Sequence, residues 1–103
     1  MENVRIWNYE LYDENGQWLG QVVITSDGFF GSVTDYGNFS FAWRAYGEDF
    51  KKFLLGLTPD YFGSKMFQGM AYIVSTKAVE KSCRFYATKI LPALQVSLQK
   101  EDS

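Results

Sequence analysis

The chain has 103 residues and a formal net charge of −2, with 47% hydrophobic and 21% charged residues. This length suits a single domain built around one core. Aromatic residues make up 18% of the chain, so large rings can fill a small core without support from disulfides. Cys83 is the only cysteine, which excludes an internal disulfide and a cysteine-rich zinc site.

The first half of the chain has the alternation of polar and apolar residues that is typical of strands. Four such runs occur, at residues 4–12, 18–25, 29–34 and 39–45. Asn15-Gly16 between the first two predicts a type I′ hairpin turn, in which both central residues have positive φ. Gly31 indicates a bulge or a close backbone approach in the third run. Because short connections cannot join parallel strands, we expect an antiparallel meander.

The period of the apolar residues changes to that of a helix after Gly47. A first helix is predicted from the spacing of Phe50, Phe53, Leu54 and Leu57. Thr58-Pro59-Asp60 begins a second helix that we expect to end near Ala71. Ser75 or Thr76 is predicted to cap a third helix, which Pro92 should kink or end.

These elements predict an α+β fold of the order ββββααα, a four-stranded meander followed by three helices packed on one face. We expect one domain over residues 1–103, with the sheet in 4–45, the helices in 48–98 and a frayed tail in 99–103. Phe39, Phe41 and Trp43 are predicted to meet the apolar stripes of the helices. The other face of the sheet would then be partly open.

The chain has no histidine, which removes the Ser-His-Asp and Cys-His mechanisms and histidine-containing metal sites. Neither a Walker loop nor a G-x-G-x-x-G fingerprint is present. Cys83 lies on an apolar helix stripe and is interpreted as an inert core thiol. The expectation is a protein that is not an enzyme and needs no metal or cofactor, although a mechanism that uses only carboxylates stays open.

Charge is divided unevenly along the chain. Residues 1–49 carry two basic and eight acidic groups, whereas residues 50–100 carry eight basic and two acidic groups. Turns rich in Asp and helices rich in Lys explain this division in structural terms. The functional alternative is a dipolar molecule with one face suited to a charged partner.

Three sets of residues are candidates for binding, each weighed against a purely structural role. Exposed aromatic and arginine side chains are frequent at binding hot spots, and the predicted partner contacts are Tyr36, Arg44, Tyr46 and Phe30. Contacts to phosphate or to an acidic partner are predicted at Lys77, Lys81 and Arg84. An acidic end of the sheet is predicted from Glu10, Asp13, Glu14, Asp27 and Asp35.

Four segments carry a resemblance to known proteins, namely residues 26–28, 35–43, 50–54 and 60–62. This pattern of turns, aromatic residues and a short helix resembles small proteins of tailed phages and prophages over residues 22–70. The resemblance implies an accessory protein that binds a host protein, a nucleic acid or a signalling nucleotide. Many proteins of this kind antagonise bacterial defence, and no residue role is implied.

The predicted function is therefore that of a non-catalytic, phage-type accessory protein that binds and inhibits a host factor. Bacterial defence components are the expected targets, as for an anti-CRISPR or another anti-defence inhibitor. The alternative is a protein that binds and sequesters a small ligand or nucleotide, as a monomer or a homo-oligomer. The N-terminal residues do not resemble a signal peptide and no run is long enough to span a bilayer, so the predicted location is the cytoplasm, that of the host bacterium if a phage encodes the protein.

Overall fold

A computed structural model describes residues 3–70 and 77–102. The chain forms four strands and then three helices, which confirms the predicted ββββααα order. The strands are β1 (Ile6–Tyr12), β2 (Trp18–Thr25), β3 (Phe29–Thr34) and β4 (Gly37–Ala42). The helices are α1 (Phe50–Leu55), α2 (Pro59–Met70) and α3 (Lys77–Asp102).

The sheet is a meander in the order β1-β2-β3-β4, with every neighbouring pair antiparallel. The turn between β1 and β2 differs from the predicted type I′ turn, because Gly16 (φ +83°) has positive φ and Asn15 does not. One carboxylate oxygen of Asp13 accepts hydrogen bonds from the Asn15 and Gln17 amides, at 2.8 and 2.9 Å. This side-chain cap holds a longer turn in which one glycine suffices.

The β-bulge predicted at Gly31 is found instead between β1 and β2. The register of the sheet shifts between Leu11 and Tyr12 on β1, so that Leu11 pairs with Gly20 and Tyr12 pairs with Trp18. Gly31 keeps a regular register, and the Phe29 ring lies over the space that a side chain at position 31 would fill. The bulge therefore belongs to the first hairpin.

The helices cover one face of the sheet. α3 contacts β1 and β2, α2 contacts β4, and the two helices pack against each other. Covered side chains alternate along the strands with exposed ones, and the fully buried members include Leu11, Val22, Ile24 and Phe30. The opposite side of the sheet, here called the open face, has no element packed on it within the described residues.

Aromatic rings occupy the centre of the core. The Phe62 ring meets Phe30 edge-on at 5.1 Å and stacks on Tyr86 at 6.2 Å between centroids. Phe39 and Trp43 are buried as predicted, whereas Phe41 is half-buried. The indole Nε1 of Trp43 is buried without a hydrogen-bond partner in the described part of the chain, and the neighbouring phenyl faces are only weak acceptors.

The starts of α1 and α2 agree with the capping signals in the sequence, whereas the end of α3 differs from the predicted one. The Asp49 carboxylate accepts from the Lys51 amide at 3.0 Å and begins α1. α3 continues through Pro92 to Asp102, so the predicted helix end at 98 is wrong and the predicted tail in 99–103 is helical as far as residue 102. Buried residues on both sides of Pro92 hold the helix together, and they are Ile90, Leu91, Leu94 and Leu98. The predicted cap at Ser75 or Thr76 lies outside the described residues.

Candidate functional site

Tyr36 lies in a tight turn between β3 and β4. The Thr34 hydroxyl donates to the Gly37 carbonyl at 2.7 Å and accepts from the Tyr36 amide at 3.0 Å. Gly37 has a φ of +124°, a conformation that favours glycine. The Asp35 amide donates to the Leu19 carbonyl at 3.2 Å, which ties the turn to β2. Tyr36 is therefore held at a fixed position beside the first hairpin.

Helix α3 places a second aromatic ring against Tyr36. The Phe85 ring meets the Tyr36 ring edge-on, with 5.3 Å between centroids, and 54% of Phe85 is exposed. Lys89, one helical turn further on, has its Nζ 5.6 Å from the centre of the Phe85 ring. An aromatic pair with a cation beside it thus lies on the surface where the sheet meets α3.

A groove of about 770 Å³ begins at Tyr36 and runs between the first hairpin and the second half of α3. Its sheet wall is formed by Glu10, Tyr12, Asp13, Glu14, Leu19 and Tyr36. Its helix wall is formed by Thr88, Lys89, Pro92, Ala93, Val96, Ser97 and Lys100. We call it the hairpin–helix groove. It combines two tyrosines with an acidic wall and a wall that carries two lysines.

The acidic wall is partly engaged in local hydrogen bonds. The Glu10 carboxylate accepts from the Trp18 indole at 2.6 Å, and Asp13 uses one oxygen to cap its own turn. Both carboxylates retain further acceptor capacity, and Glu14 is exposed. Such a wall can accept hydrogen bonds from a guanidinium or an ammonium group, and tyrosine faces attract the same cations.

Arg44 and Tyr46, which were predicted to share a contact surface with Tyr36, lie at the opposite end of the strands. The Tyr46 hydroxyl donates to the Ser26 carbonyl at 2.8 Å, and its ring meets Phe50 edge-on at 5.2 Å. Tyr46 is therefore half-buried against the second turn, whereas Arg44 is exposed. The structure does not bring these two residues together with Tyr36.

Phe30 was predicted to contact a partner, and this prediction is wrong. Its side chain is fully buried against Phe62 and cannot reach another molecule in the folded protein. Consecutive residues of a strand point to opposite faces, so one of Phe29 and Phe30 had to enter the core. Phe29 is the exposed member of the pair.

Lys77, Lys81 and Arg84 are exposed on α3, as their predicted role requires. The Arg84 guanidinium forms an ion pair with Glu80 at 3.0 Å. A hollow of about 310 Å³ beside Arg84 is also lined by Asp60 and Glu80, and both carboxylates would repel a phosphate. Phosphate binding by these residues stays a prediction.

Four of the five residues of the predicted acidic end belong to the two hairpins at the Tyr36 end of the sheet, namely Glu10, Asp13, Glu14 and Asp35. Asp27 lies in the second turn at the other end, where its carboxylate accepts from the Thr25 hydroxyl. The acidic residues and Tyr36 therefore occupy the same end of the sheet.

The chemistry of the buried groups favours structural roles. Cys83 is buried, and burial together with the nearby charge of Glu80 raises the pKa of its thiol. A raised pKa disfavours the reactive thiolate. Among the residues that the structure describes, no three Cys, Asp or Glu side chains are placed so that they could hold a metal ion. Within residues 3–70 and 77–102, no helix is both long enough and apolar enough to cross a bilayer.

Sequence reasoning missed Tyr12 and Phe85 in the groove region. Phe85 lies off the apolar stripe that runs through Cys83 and Tyr86, and a large aromatic residue off the stripe of a helix was a readable signal of exposure. Tyr12 falls on the face opposite Leu11 by simple alternation. Alternation on β1 and the apolar stripe of α3 could not have placed these two residues near Tyr36. Their position depends on how α3 packs on the sheet.

The fold and its groove define a small α+β domain, in which a four-stranded meander carries helices on one face and an aromatic, charge-lined groove at one end. The phage family Phage_phiTE_072 matches residues 1–84, and the chain belongs to this family. The match confirms the resemblance to phage proteins and extends it over most of the chain. No curated protein and no solved structure matches the chain.

Proposed function

We propose that this phage protein is a non-catalytic accessory protein that binds and inhibits a host protein, with components of bacterial defence, including CRISPR systems, as the leading targets. The observation that carries the proposal is the hairpin–helix groove with the Tyr36–Phe85 pair at its edge, in which Phe85 is exposed and Tyr36 is half-buried. Large exposed aromatic residues beside a groove are typical of protein contact sites. Membership of a phage family supports a host protein as the partner.

The chemistry of the groove favours a partner with basic side chains. The acidic wall of Glu10, Asp13 and Glu14 can accept hydrogen bonds from arginine, and Tyr12 and Tyr36 can hold a guanidinium against their faces. Lys89 and Lys100 on the helix wall then fit acidic residues on either side of the arginine. Complementarity of this kind contributes to specificity, and we expect binding to weaken as salt concentration rises.

Variants at the aromatic pair test the proposal. Tagged protein is used to capture host proteins, and the affinity of each purified candidate is then measured by calorimetry. Tyr36→Ala and Phe85→Ala should each weaken binding by about tenfold or more, because each removes a contact worth about 1.4 kcal/mol or more. The same variants should reduce phage plating on hosts that carry the targeted defence system.

Two control variants locate the effect. Tyr61→Ala removes an exposed tyrosine of α2 and should leave affinity unchanged. Arg44→Ala changes the far end of the sheet, so a loss of affinity in Arg44→Ala but not in Tyr36→Ala would move the site away from the groove. Full affinity in both aromatic variants, with no effect on plating, would reject the proposed site.

A second function, sequestration of a small nucleotide, is supported by the size of the groove and by Tyr12 and Tyr36, whose faces could stack on a base. The two lysines would have to hold the phosphates, and the three carboxylates of the sheet wall oppose this. A thermal-shift screen of nucleotides separates the two functions. A shift that disappears in Tyr36→Ala favours sequestration, and a screen without shifts excludes it.

A further inference from the structure

The outer edge of β1 carries backbone groups that face away from the sheet. At one end of the strand, the Ser26 amide donates to the Arg5 carbonyl at 2.9 Å. At the other end, the Asp13 amide donates to the Gln17 carbonyl at 2.9 Å, so the odd-numbered residues of β1 face β2. The N–H and C=O groups of the even-numbered residues therefore point outward, and these residues are Ile6, Asn8, Glu10 and Tyr12. Among the described residues, they make no backbone hydrogen bond beyond the sheet.

The hairpin–helix groove passes along this same edge. Glu10 and Tyr12 point to the open face by alternation with the buried Leu11, whereas α3 lies on the covered face. A groove that is lined by both has to pass around the border of the sheet. At Glu10 this border is the edge of β1, because β1 is an outermost strand. Two residues that line the groove with their side chains thus also direct backbone donors and acceptors toward it.

The two edges of the sheet differ in how they are protected. α2 packs against β4, and the Lys65 ammonium lies 5.8 Å from the centre of the Phe41 ring on that strand. Natural edge strands are commonly blocked by lysine, by proline or by a bulge. β1 has neither lysine nor proline between Ile6 and Tyr12, and its register shift lies at the end of the strand. Its one charged side chain, Glu10, lines the groove, so the edge is open to a further strand.

We infer that the edge of β1 receives an extended segment of the host partner, which adds to the sheet as a further strand. This assignment rests on the proposed function, because it gives a conformation to the segment that enters the groove. In an antiparallel addition, an arginine of the segment lies opposite Glu10, and an apolar residue four positions later lies opposite Ile6, which is 69% exposed. The neighbours of the arginine then face the helix side, where Lys89 and Lys100 fit acidic residues.

An acetylated and amidated peptide with these features, Thr-Asp-Arg-Asp-Thr-Thr-Ile-Thr, is the probe. In NMR titrations it should cause saturable shifts at the outward amides of β1 and protect them from hydrogen exchange. Asn8→Pro should weaken its affinity about tenfold or more, because proline removes an outward N–H and places its ring at the edge. The ladder to β2 does not use this N–H, since Asn8 faces away from it. Asn8→Ala, which keeps the N–H, is the matched control and should bind the peptide like the unmodified chain.

Methylated peptides give a second test, which leaves the protein unchanged and holds even if circular dichroism shows that Asn8→Pro is not folded. N-methyl groups on the arginine and isoleucine amides, which face β1, should abolish binding, whereas N-methyl groups on the amides that follow them should not. The inference would be overturned by the absence of saturable shifts at millimolar peptide, or by equal affinity of the two methylated peptides. Shifts of the β1 amides on dilution without peptide would also overturn it, because they indicate a second copy at the edge.

The host protein separates this inference from the proposed function. A host protein whose affinity falls in Tyr36→Ala but not in a folded Asn8→Pro keeps the groove as the binding site and overturns strand addition. Peptide binding that is lost in Asn8→Pro, without any host protein that binds the groove, supports the edge of β1 as a strand-binding site and counts against the proposed function.

Discussion

The hydroxyl of Tyr86 is a buried polar group between the sheet and α3. It is hydrogen-bonded to the Ser32 hydroxyl, which also donates to the Phe39 carbonyl at 3.2 Å. Ser32→Ala leaves the Tyr86 hydroxyl buried without this partner and should cost about 1–3 kcal/mol. In Tyr86→Phe, the Ser32 hydroxyl keeps its hydrogen bond to the Phe39 carbonyl. This variant should therefore cost less, about 0.5–1.5 kcal/mol. Urea denaturation of both variants checks the order, and a larger loss in Tyr86→Phe would contradict it.

The same tyrosine makes stability depend on pH on the alkaline side. Burial raises the pKa of Tyr86 above its ordinary value of 10.0, because the charged phenolate is poorly solvated there. The unfolded chain therefore loses its proton first. The contribution of the neutral hydroxyl is complete below about pH 10 and is lost as pH rises through the folded pKa.

Tyr86→Phe should therefore flatten the fall in stability between about pH 9 and about pH 11. Urea midpoints of the two proteins across this range measure the difference. Cys83, whose pKa burial also raises, is present in both, so the difference isolates Tyr86. Parallel pH curves for the two proteins would show that Tyr86 does not carry this dependence.

At the scale of elements, the short helix α1 depends on a side chain of α3. The Gln95 amide group donates to the Leu54, Leu55 and Leu57 carbonyls, at 3.0, 3.3 and 2.9 Å. A helix of six residues is too short to be stable alone, and the carbonyls at its end have no partners within the helix. Gln95 thus fastens α1 to α3.

Gln95→Leu should destabilise the protein by about 1–3 kcal/mol, because the Leu55 and Leu57 carbonyls lose this donor and the Leu54 carbonyl keeps the Leu57 amide. Hydrogen exchange should show the greatest loss of protection in α1. Gln99→Leu is the matched control, since Gln99 is exposed one turn further along α3. Equal losses in the two variants would mean that the bonds of Gln95 are not what holds α1.

The sequence was most informative about elements and least about the faces that they present. Alternation and turn residues predicted four strands in the right order, and the apolar spacing predicted three helices. Phe29 and Phe30 show the limit, because a slip of one residue exchanges the faces of a strand and only packing decides between them. Pro92 shows a second limit of prediction from sequence. Proline was expected to kink or end α3, but buried contacts on both sides outweigh its local cost within the helix.

The candidate site was predictable in part. The hairpin carboxylates were recognised as an acidic group. The turn chemistry of Asp35-Tyr36-Gly37 indicated an exposed Tyr36, whereas the structure has Tyr36 half-buried beside Phe85. The groove itself was not, because its second wall lies about fifty residues further along the chain and is brought there by α3. A contact between such distant segments comes from packing and leaves no local pattern in the sequence.

At the scale of the whole molecule, the two halves of the chain become two layers of opposite charge. Residues 1–49, which include the sheet, carry eight of the twelve acidic residues, and residues 50–100, which form the helical half, carry eight of the ten basic ones. The core between them depends on residues beyond the span matched by the phage family, which ends at residue 84, within α3. These later core residues are Tyr86, Ile90, Leu91, Leu94 and Leu98.

A chain that stops after Arg84 should therefore fail to fold. It loses five large buried side chains, each worth about 1.5–3 kcal/mol of burial, against a total stability of about 5–15 kcal/mol for a typical domain. Near-ultraviolet circular dichroism and amide dispersion in NMR spectra measure the outcome. A truncated chain with a cooperative unfolding transition would contradict the expectation.

The order of the elements along the chain also determines how the protein is made. The four strands leave the ribosome before the helix that buries their inner face, so the apolar residues of that face stay in water until α3 has been made. Contacts between β1 and α3 join segments far apart in sequence, and such contacts form late. During synthesis, this interval is when the chain is most open to chaperones and to aggregation with other nascent copies.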